Sequence, residues 1–253
     1  MYRIRPISPR PLEKVRLLYH PELDQSLSGP EFNHTKIRWR KMNRKRIAES
    51  KPPLQNLPLF LPGHIRQYLD RIDIPCGRTS YMSTLFHSAF CKDWSAPYTG
   101  AGLSIVPVCP DGVLIGKRSG FVNLGEHLFH VAAGHAHPKP DFISHPDELT
   151  GAVLQELEEE MAIECEDIER MEFLGIGLNQ LTGKTEFLTR VVLPENSEFY
   201  IRRWRAAIRN QKHPEFDELS TLDRIIGPDP FEAHRTRFTV ACQMALEAHR
   251  GKW

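Results

Sequence analysis

The chain lacks the marks of several large protein classes. Its five cysteines in 253 residues (Cys76, Cys91, Cys109, Cys165 and Cys242) are scattered, odd in number and include no CxxC pair. That spacing disfavours a disulfide framework or a cysteine zinc site and is the pattern of reduced thiols in a cytoplasm. No apolar run reaches the ~18 residues that a membrane-spanning helix needs. The opening Met1-Tyr2-Arg3-Ile4-Arg5-Pro6 is basic but has no apolar stretch behind it, so a secretory signal is not expected and a cytoplasmic location is. The formal charge of +1 is far from the basic excess of a chain built for bulk nucleic-acid binding. There is no internal repeat and no low-complexity tract. What is present, 40% hydrophobic and 26% charged residues, fits a soluble globular chain of one large domain, or one domain with an extension.

The first 98 residues differ in character from the rest. They hold prolines, basic clusters and short apolar pieces. Residues 36–46, KIRWRKMNRKR, carry seven Lys or Arg in eleven positions. This is a solvated helix face or, alternatively, a patch for phosphates or nucleic acid. Residues 51–63 read as a loop with local turns. From Gly100 onward the pattern is α/β. Leu103–Cys109 and Val113–Gly116 flank Pro110-Asp111-Gly112 as a hairpin. Leu128–Ala132 is a further strand that runs into Gly134-His135-Ala136-His137-Pro138. Ser144, followed three residues later by Asp147, suggests the cap of a helix running to Ile163. Phe173–Leu178 and Glu186–Leu193 read as strands, Glu198–Asn210 as a helix, and Asp229-Pro230 as the start of a C-terminal helix. Interleaved strands and helices predict a layered α/β domain.

The informative segment is Leu149–Ile163, LTGAVLQELEEEMAI. At roughly 100° per residue, Glu156, Glu159 and Glu160 share one face, while Leu154, Leu157 and Met161 form an apolar stripe on the other. Like charges three and four apart destabilise a bare helix by a few tenths of a kcal/mol per pair. A hard divalent cation would offset that cost, because Mg²⁺ takes carboxylates, waters and substrate phosphates as ligands. The alternative is an exposed acidic helix.

A strand ending in Gly134, a loop, and a helix reading Q-E-L-E-E-E-M-A-I resemble the Nudix box, G-x5-E-x7-R-E-U-x-E-E-x-G-U. Glu156 falls on the Glu of the R-E pair, Leu157 and Ile163 on the aliphatic positions, and Glu159 and Glu160 on the E-E pair. Gln155 stands in place of Arg, Ala162 in place of Gly, and Asp147 in place of the first Glu. The loop from Gly134 to Asp147 is seven residues longer than the pattern. Val153-Leu154-Gln155-Glu156, Gly134-His135 and Thr79-Ser80-Tyr81 are in addition similar to segments of the animal Nudix subgroup that hydrolyses UDP-glucose and UDP-galactose.

The resemblance implies a Nudix-type α/β/α sandwich with a mixed sheet over residues 99–253, and an N-terminal α/β extension over 1–98 packed on it. It implies a Mg²⁺-dependent (or Mn²⁺-dependent) hydrolase that cleaves a nucleoside diphosphate derivative, a small molecule, to a nucleoside monophosphate and, for a UDP-sugar, a sugar 1-phosphate. Metal ligands would be Glu156, Glu159, Glu160 and the Gly134 carbonyl. Glu218 is the candidate general base, with Glu186 behind it. Lys117, Arg118, His135 and Tyr81 are candidates for holding substrate. Two alternatives stay open: hydrolysis of another diphosphate such as ADP-ribose, and a non-catalytic module binding nucleotide or RNA through residues 36–46. Membrane association is not expected and nucleic acid is not the expected partner.

Overall fold

The computed structural model describes residues 2–25, 29–51, 53–84, 100–120, 122, 125–180, 183–209, 211 and 214–251, with side chains from residue 33 in the first helix. A large mixed sheet runs in the order β1 (Tyr2–Pro11), β10 (Arg170–Asn179), β11 (Thr185–Val192), β6 (Gly102–Cys109), β7 (Gly112–Arg118) and β12 (Phe216–Thr221). Only the β11–β6 pair among these is parallel. The predicted hairpin is present, but β6 and β7 pair only beside their turn, at Val108↔Val113 and Cys109↔Gly112. Beyond that, β6 takes β9 (Ala132–Gly134) as its partner and β7 takes β8 (Phe129–His130). The strand expected over Leu128–Ala132 is thus two short strands that bridge from β7 to β6 and deliver Gly134 opposite Leu103.

Each face of this sheet has its own apolar layer. On one, Leu103, Ile105, Leu114 and Phe187 pack with α2 (Thr150–Met161) through Val153, Leu157 and Met161, and with α3 (Ser197–Ile208) through Tyr200, Ile201 and Trp204. On the other, Val106, Ile115 and Leu188 pack with α4 (Leu222–Ile226) and α5 (Val240–Arg250). Helix, sheet and helix layers follow from alternation along the strands and a 3.6-residue period along the helices. The apolar stripe of α2 is offset from the expected one, since Val153 is buried and Leu154 only half-buried.

The N-terminal residues form a second sheet, β2 (Val15–Tyr19), β5 (Ile72–Ser80) and β3 (Pro58–Pro62), with β4 (Arg66–Gln67) on β5, plus a 20-residue helix, α1 (Gly29–Ala48). Leu17, Phe60, Ile72 and Ile74 belong to the same core as α2, so this extension is packed on the rest. Its first strand, β1, lies in the large sheet as the partner of β10. Leu57, Tyr68 and Leu69 remain exposed.

Two expectations are corrected here. Residues 58–62 are a strand, not a loop. β3 is an edge strand with prolines at both ends, positions where the missing N–H costs little, while Leu59, Phe60 and Leu61 are buried. Ser144 does not cap the carboxylate helix. Its hydroxyl donates to the Asp141 carbonyl in a turn, and the helix starts at Thr150. Asp147 is instead a buried loop organiser. Its backbone bridges Leu17 of β2, its carboxylate accepts the N–H groups of Lys139 and Glu148 at 2.8 Å each, and Lys139 Nζ lies 3.1 Å away. At the C-terminus a 3₁₀ segment, Phe231–Arg237, precedes α5, whose N-cap is Thr239 accepting from the Cys242 N–H.

Candidate metal and substrate site

The site forms where α2 crosses the end of β9. Glu156 and Glu160, one turn apart, both point at that strand. Glu156 Oε1 accepts the His135 N–H at 3.2 Å, and Glu160 Oε2 accepts the Ala133 N–H at 2.8 Å. The approach is so close that a Cβ on Gly134 would sit 1.7 Å from Glu156 Oε1. Glycine at 134 is therefore a steric requirement of the carboxylate's position.

A third carboxylate joins them from before β12. Glu215 is held by Arg118 Nη2 at 2.7 Å, and its backbone carbonyl accepts the Ser119 N–H. Burial pushes the Glu156 carboxyl up to about 7, with the Glu159 and Glu215 charges adding to it and the His135 N–H opposing. Burial, Glu215 and Glu156 hold Glu160 well above the usual carboxylate range. Burial also raises Glu215, and only Arg118 pulls it back. Among the described residues, three partly desolvated carboxylates thus share a single guanidinium, whose Nε is itself buried without a partner. Such a group gains from added positive charge.

Among the described residues, no three His, Cys, Asp or Glu side chains enclose a point at metal-bonding distance. The donor chemistry nonetheless fits a hard divalent cation. Glu156 and Glu160 each spend an oxygen on a backbone N–H, and their surroundings favour neutralisation. Glu159 lies on the exposed side of α2, where Gln155 Nε2 donates to its Oε1 at 2.8 Å. The Gln155 amide thus makes the contact expected of the missing Arg, without its charge.

The other sequence-derived candidates divide. Arg118 belongs to the group through Glu215. Tyr81 stacks edge-on against His135 with ring centroids 5.1 Å apart, and Trp39 of α1 stacks on Tyr81 at 6.1 Å. His137 lies 6.5 Å beyond His135, its Nδ1 2.8 Å from the Pro58 carbonyl. This line of rings carries the N-terminal extension to the rim of the carboxylate group. Burial, then Lys184 and His137, lower the His135 pKa to about 3, so its ring is neutral, and its Nε2 is shielded from water without a partner.

Lys117 and Glu218 are not brought in. They are cross-strand neighbours on β7 and β12, on the face opposite Arg118, and Glu218 is exposed. Glu186 is buried on the other face of the sheet, 2.7 Å from Lys184 Nζ and 3.3 Å from the Ser104 hydroxyl, which makes it part of the packing there. Sequence reasoning missed Glu215 and Trp39. A tryptophan inside a run of Lys and Arg was the available signal for Trp39. Glu215 had none, because it and Glu218 stand in one short acidic stretch.

No protein-family model matches the chain, and no curated protein matches it. Among solved structures, similar chains include the NUDIX domain of Shewanella oneidensis NrtR complexed with ADP ribose, at 13% identity over 60% of this chain and 86% of that one, with a TM-score of 0.41. A NUDIX hydrolase from Nitrosomonas europaea is 15% identical over 60% of this chain and 89% of its own, with a TM-score of 0.38. The bifunctional NMN adenylyltransferase/ADP ribose pyrophosphatase of Francisella tularensis, complexed with AMP and Mn ion, is 11% identical over 60% of this chain and 41% of its own, again with a TM-score of 0.38.

Proposed function

We propose that this chain is a Nudix-type, divalent-metal-dependent pyrophosphohydrolase. Its substrate is a nucleoside diphosphate derivative, a UDP-sugar of the UDP-glucose or UDP-galactose kind, and its products are a nucleoside monophosphate and a sugar 1-phosphate. The observation that carries this reading is the half-buried pair Glu156 and Glu160, held against Gly134 and Ala133 of β9 beside Glu215, with the Arg118 guanidinium among the three.

Glu156, Glu160 and Glu159, with the Gly134 carbonyl, would hold Mg²⁺ or Mn²⁺. Bound there, the ion supplies charge to offset that of the diphosphate oxygens and acidifies water. The protein's own groups do the rest. Glu215, rather than Glu218, takes the proton of the attacking water on a carboxylate oxygen, because it stands in the buried group while Glu218 faces solvent. Arg118 orients that carboxylate and presents its remaining N–H groups toward phosphate oxygens. Neutral His135 offers a hydrogen bond from the rim without adding charge. Tyr81 and Trp39 provide faces and edges for a base or sugar ring.

The test is incubation of the full chain with UDP-glucose, UDP-galactose and ADP-ribose in the presence of Mg²⁺ or Mn²⁺, with nucleoside monophosphate release read by chromatography. Metal-dependent UMP release from the UDP-sugars is expected. Preference for ADP-ribose would keep the hydrolase and change its substrate. No metal-dependent release from any of the three would overturn the reading.

A further inference from the structure

Along the β1–β10 edge of the large sheet lies a cavity of ≈ 1020 Å³ that none of the site residues above lines. Its floor comes from β1, β10 and the start of β11, including Arg3, Arg5, Ile176 and Leu178. The N-terminal extension supplies the opposite wall, including Leu23, Gln25, Leu61 and Arg66.

Its charge is one-sided. Among the described residues, three guanidinium groups, Arg3, Arg5 and Arg66, face one carboxylate, Glu22, which His20 Nδ1 engages at 2.7 Å and on which Arg66 acts only weakly. Arg5 Nη1 lies 2.7 Å from His64 Nδ1. A guanidinium can only donate, so this imidazole nitrogen accepts. Among the described residues, Arg3 and Arg66 form no ion pair within 4.0 Å. Gln25 Oε1 is buried and accepts no hydrogen bond. A buried acceptor without a donor is costly to fold around, as are like charges gathered at one cleft.

We propose that this cavity is a second ligand site, separate from the carboxylate site, for a phosphorylated small molecule with a body the size of a nucleoside. The guanidinium forks match phosphate oxygens. The volume stands at the upper end of small-molecule sites, about 300–1,000 Å³, and is far too large for phosphate alone. Leu23, Leu61, Ile176 and Leu178 offer apolar walls to the ligand body, and Gln25 Oε1 takes a donor from it. The ligand touches both β1 and the later part of the extension, and so ties one to the other. None of this depends on the hydrolase reading.

The test is calorimetric titration of the full chain in EDTA, free of divalent metal, with UMP, AMP, ribose 5-phosphate, inorganic phosphate, uridine and adenosine. Saturable binding of one UMP or AMP per chain is expected, with the nucleosides and inorganic phosphate at least about 10-fold weaker, as loss of a charge-assisted hydrogen bond implies. Arg3→Ala with Arg66→Ala weakens nucleotide binding by about 10-fold or more on the same grounds. Both side chains are exposed and form no ion pair, so the fold survives their removal. Gln25→Leu weakens the same binding without touching a charge, and Glu156→Gln leaves it unchanged. The proposal is overturned by absence of saturable binding at millimolar nucleotide, or by full affinity in the arginine double variant. Inorganic phosphate or ribose 5-phosphate binding as tightly as UMP and AMP, or loss of binding in Glu156→Gln, overturns it equally.

Discussion

Two carboxylates of this protein lie on glycines of the large sheet, one on each face. Glu156 rests on Gly134, and Glu186 rests on Gly102, where a Cβ would come 2.3 Å from its Oε2. Their electrostatic settings are opposite. Glu186 has the Lys184 ammonium at 2.7 Å and the Ser104 hydroxyl, and among the described residues no second carboxylate forms a group with it. Among the described residues, Glu156 and its neighbour Glu160 accept from backbone N–H groups, the charges that act most on them are carboxylates, Glu159 and Glu215, and the Arg118 guanidinium, paired with Glu215, offsets this for Glu160 only in part. Burial is common to both places and so says little about function. The presence or absence of a neutralising partner separates a charge that is part of the packing from one that is poised for a ligand.

The sharpest way to break this comparison is to neutralise each side in turn. Glu160→Gln is expected to lower metal-dependent turnover by about 100-fold or more, the scale of losing a main electrostatic contributor. In metal-free protein the same change should raise the melting temperature. A carboxyl whose folded pKa lies above its unfolded value penalises the fold when ionised, fully above the folded pKa and not at all below the unfolded one. Removing the charge removes that penalty near neutral pH. Activity assays and calorimetry in EDTA check both parts, and near-normal turnover in Glu160→Gln protein would remove the metal assignment.

Glu186→Gln should do the reverse. It removes the charge that a buried carboxylate sets 2.7 Å from Lys184 Nζ and within reach of the Ser104 hydroxyl, and we expect a loss of about 2 kcal/mol in urea unfolding after discounting for the third of the Lys184 side chain that is exposed. Turnover per folded molecule should stay within about twofold, because no step of the proposed reaction uses this face. A turnover loss matching that of Glu160→Gln would erase the distinction between the two carboxylates.

A smaller effect is expected where the extension meets the site. Tyr81→Ala removes the ring between Trp39 and His135. We expect kcat/KM to fall by about 10-fold for the preferred nucleoside diphosphate derivative and by less for a poor one, since losing a selective contact reduces discrimination. Arg44→Gln with Lys45→Gln, on the exposed part of α1, should leave hydrolysis of these small substrates within about twofold. An unselective drop for Tyr81→Ala would make the ring line a packing feature only.

These expectations rest unevenly on the sequence. The β6–β7 hairpin, α2, β10, β11 and α3 were legible because a turn signal or a clear period marks each, and the local preference agrees with the packing. Where tertiary contacts decide, the sequence was silent. β3 reads as a proline-rich loop until β5 pairs with it. Asp147 has capping-box spacing from Ser144, but the Leu17 bridge and Lys139 draw it into the loop. Glu215 and Glu218 were indistinguishable because β12 shifts register between Phe216 and Glu218, and a one-residue slip exchanges the faces to which side chains point.

The smallest effect concerns the end of α2, where the box pattern has glycine and this chain has Ala162. Ala162 occupies the left-handed region, φ 54° and ψ 37°, which closes the helix by donating its N–H to the Glu158 carbonyl at 3.1 Å. An L-residue with a Cβ pays about 1–2 kcal/mol there, while glycine pays almost none. The conformation persists because it is held from outside. Arg203 Nε donates to the Ala162 carbonyl at 2.7 Å, and the same guanidinium pairs with Asp167. Ala162→Gly removes the strain but gives the unfolded chain more freedom, which takes back about 0.5–1 kcal/mol. The net expectation is a stabilisation of about 0.5–1 kcal/mol, or a rise of roughly 1–4 °C in Tm for a chain of this size. Turnover should not change, because Ala162 lies past the last residue of α2 and the helix keeps its carboxylates in place. Differential scanning calorimetry decides it. A lower Tm would mean that the half-buried methyl of Ala162 contributes more through packing than its backbone conformation costs.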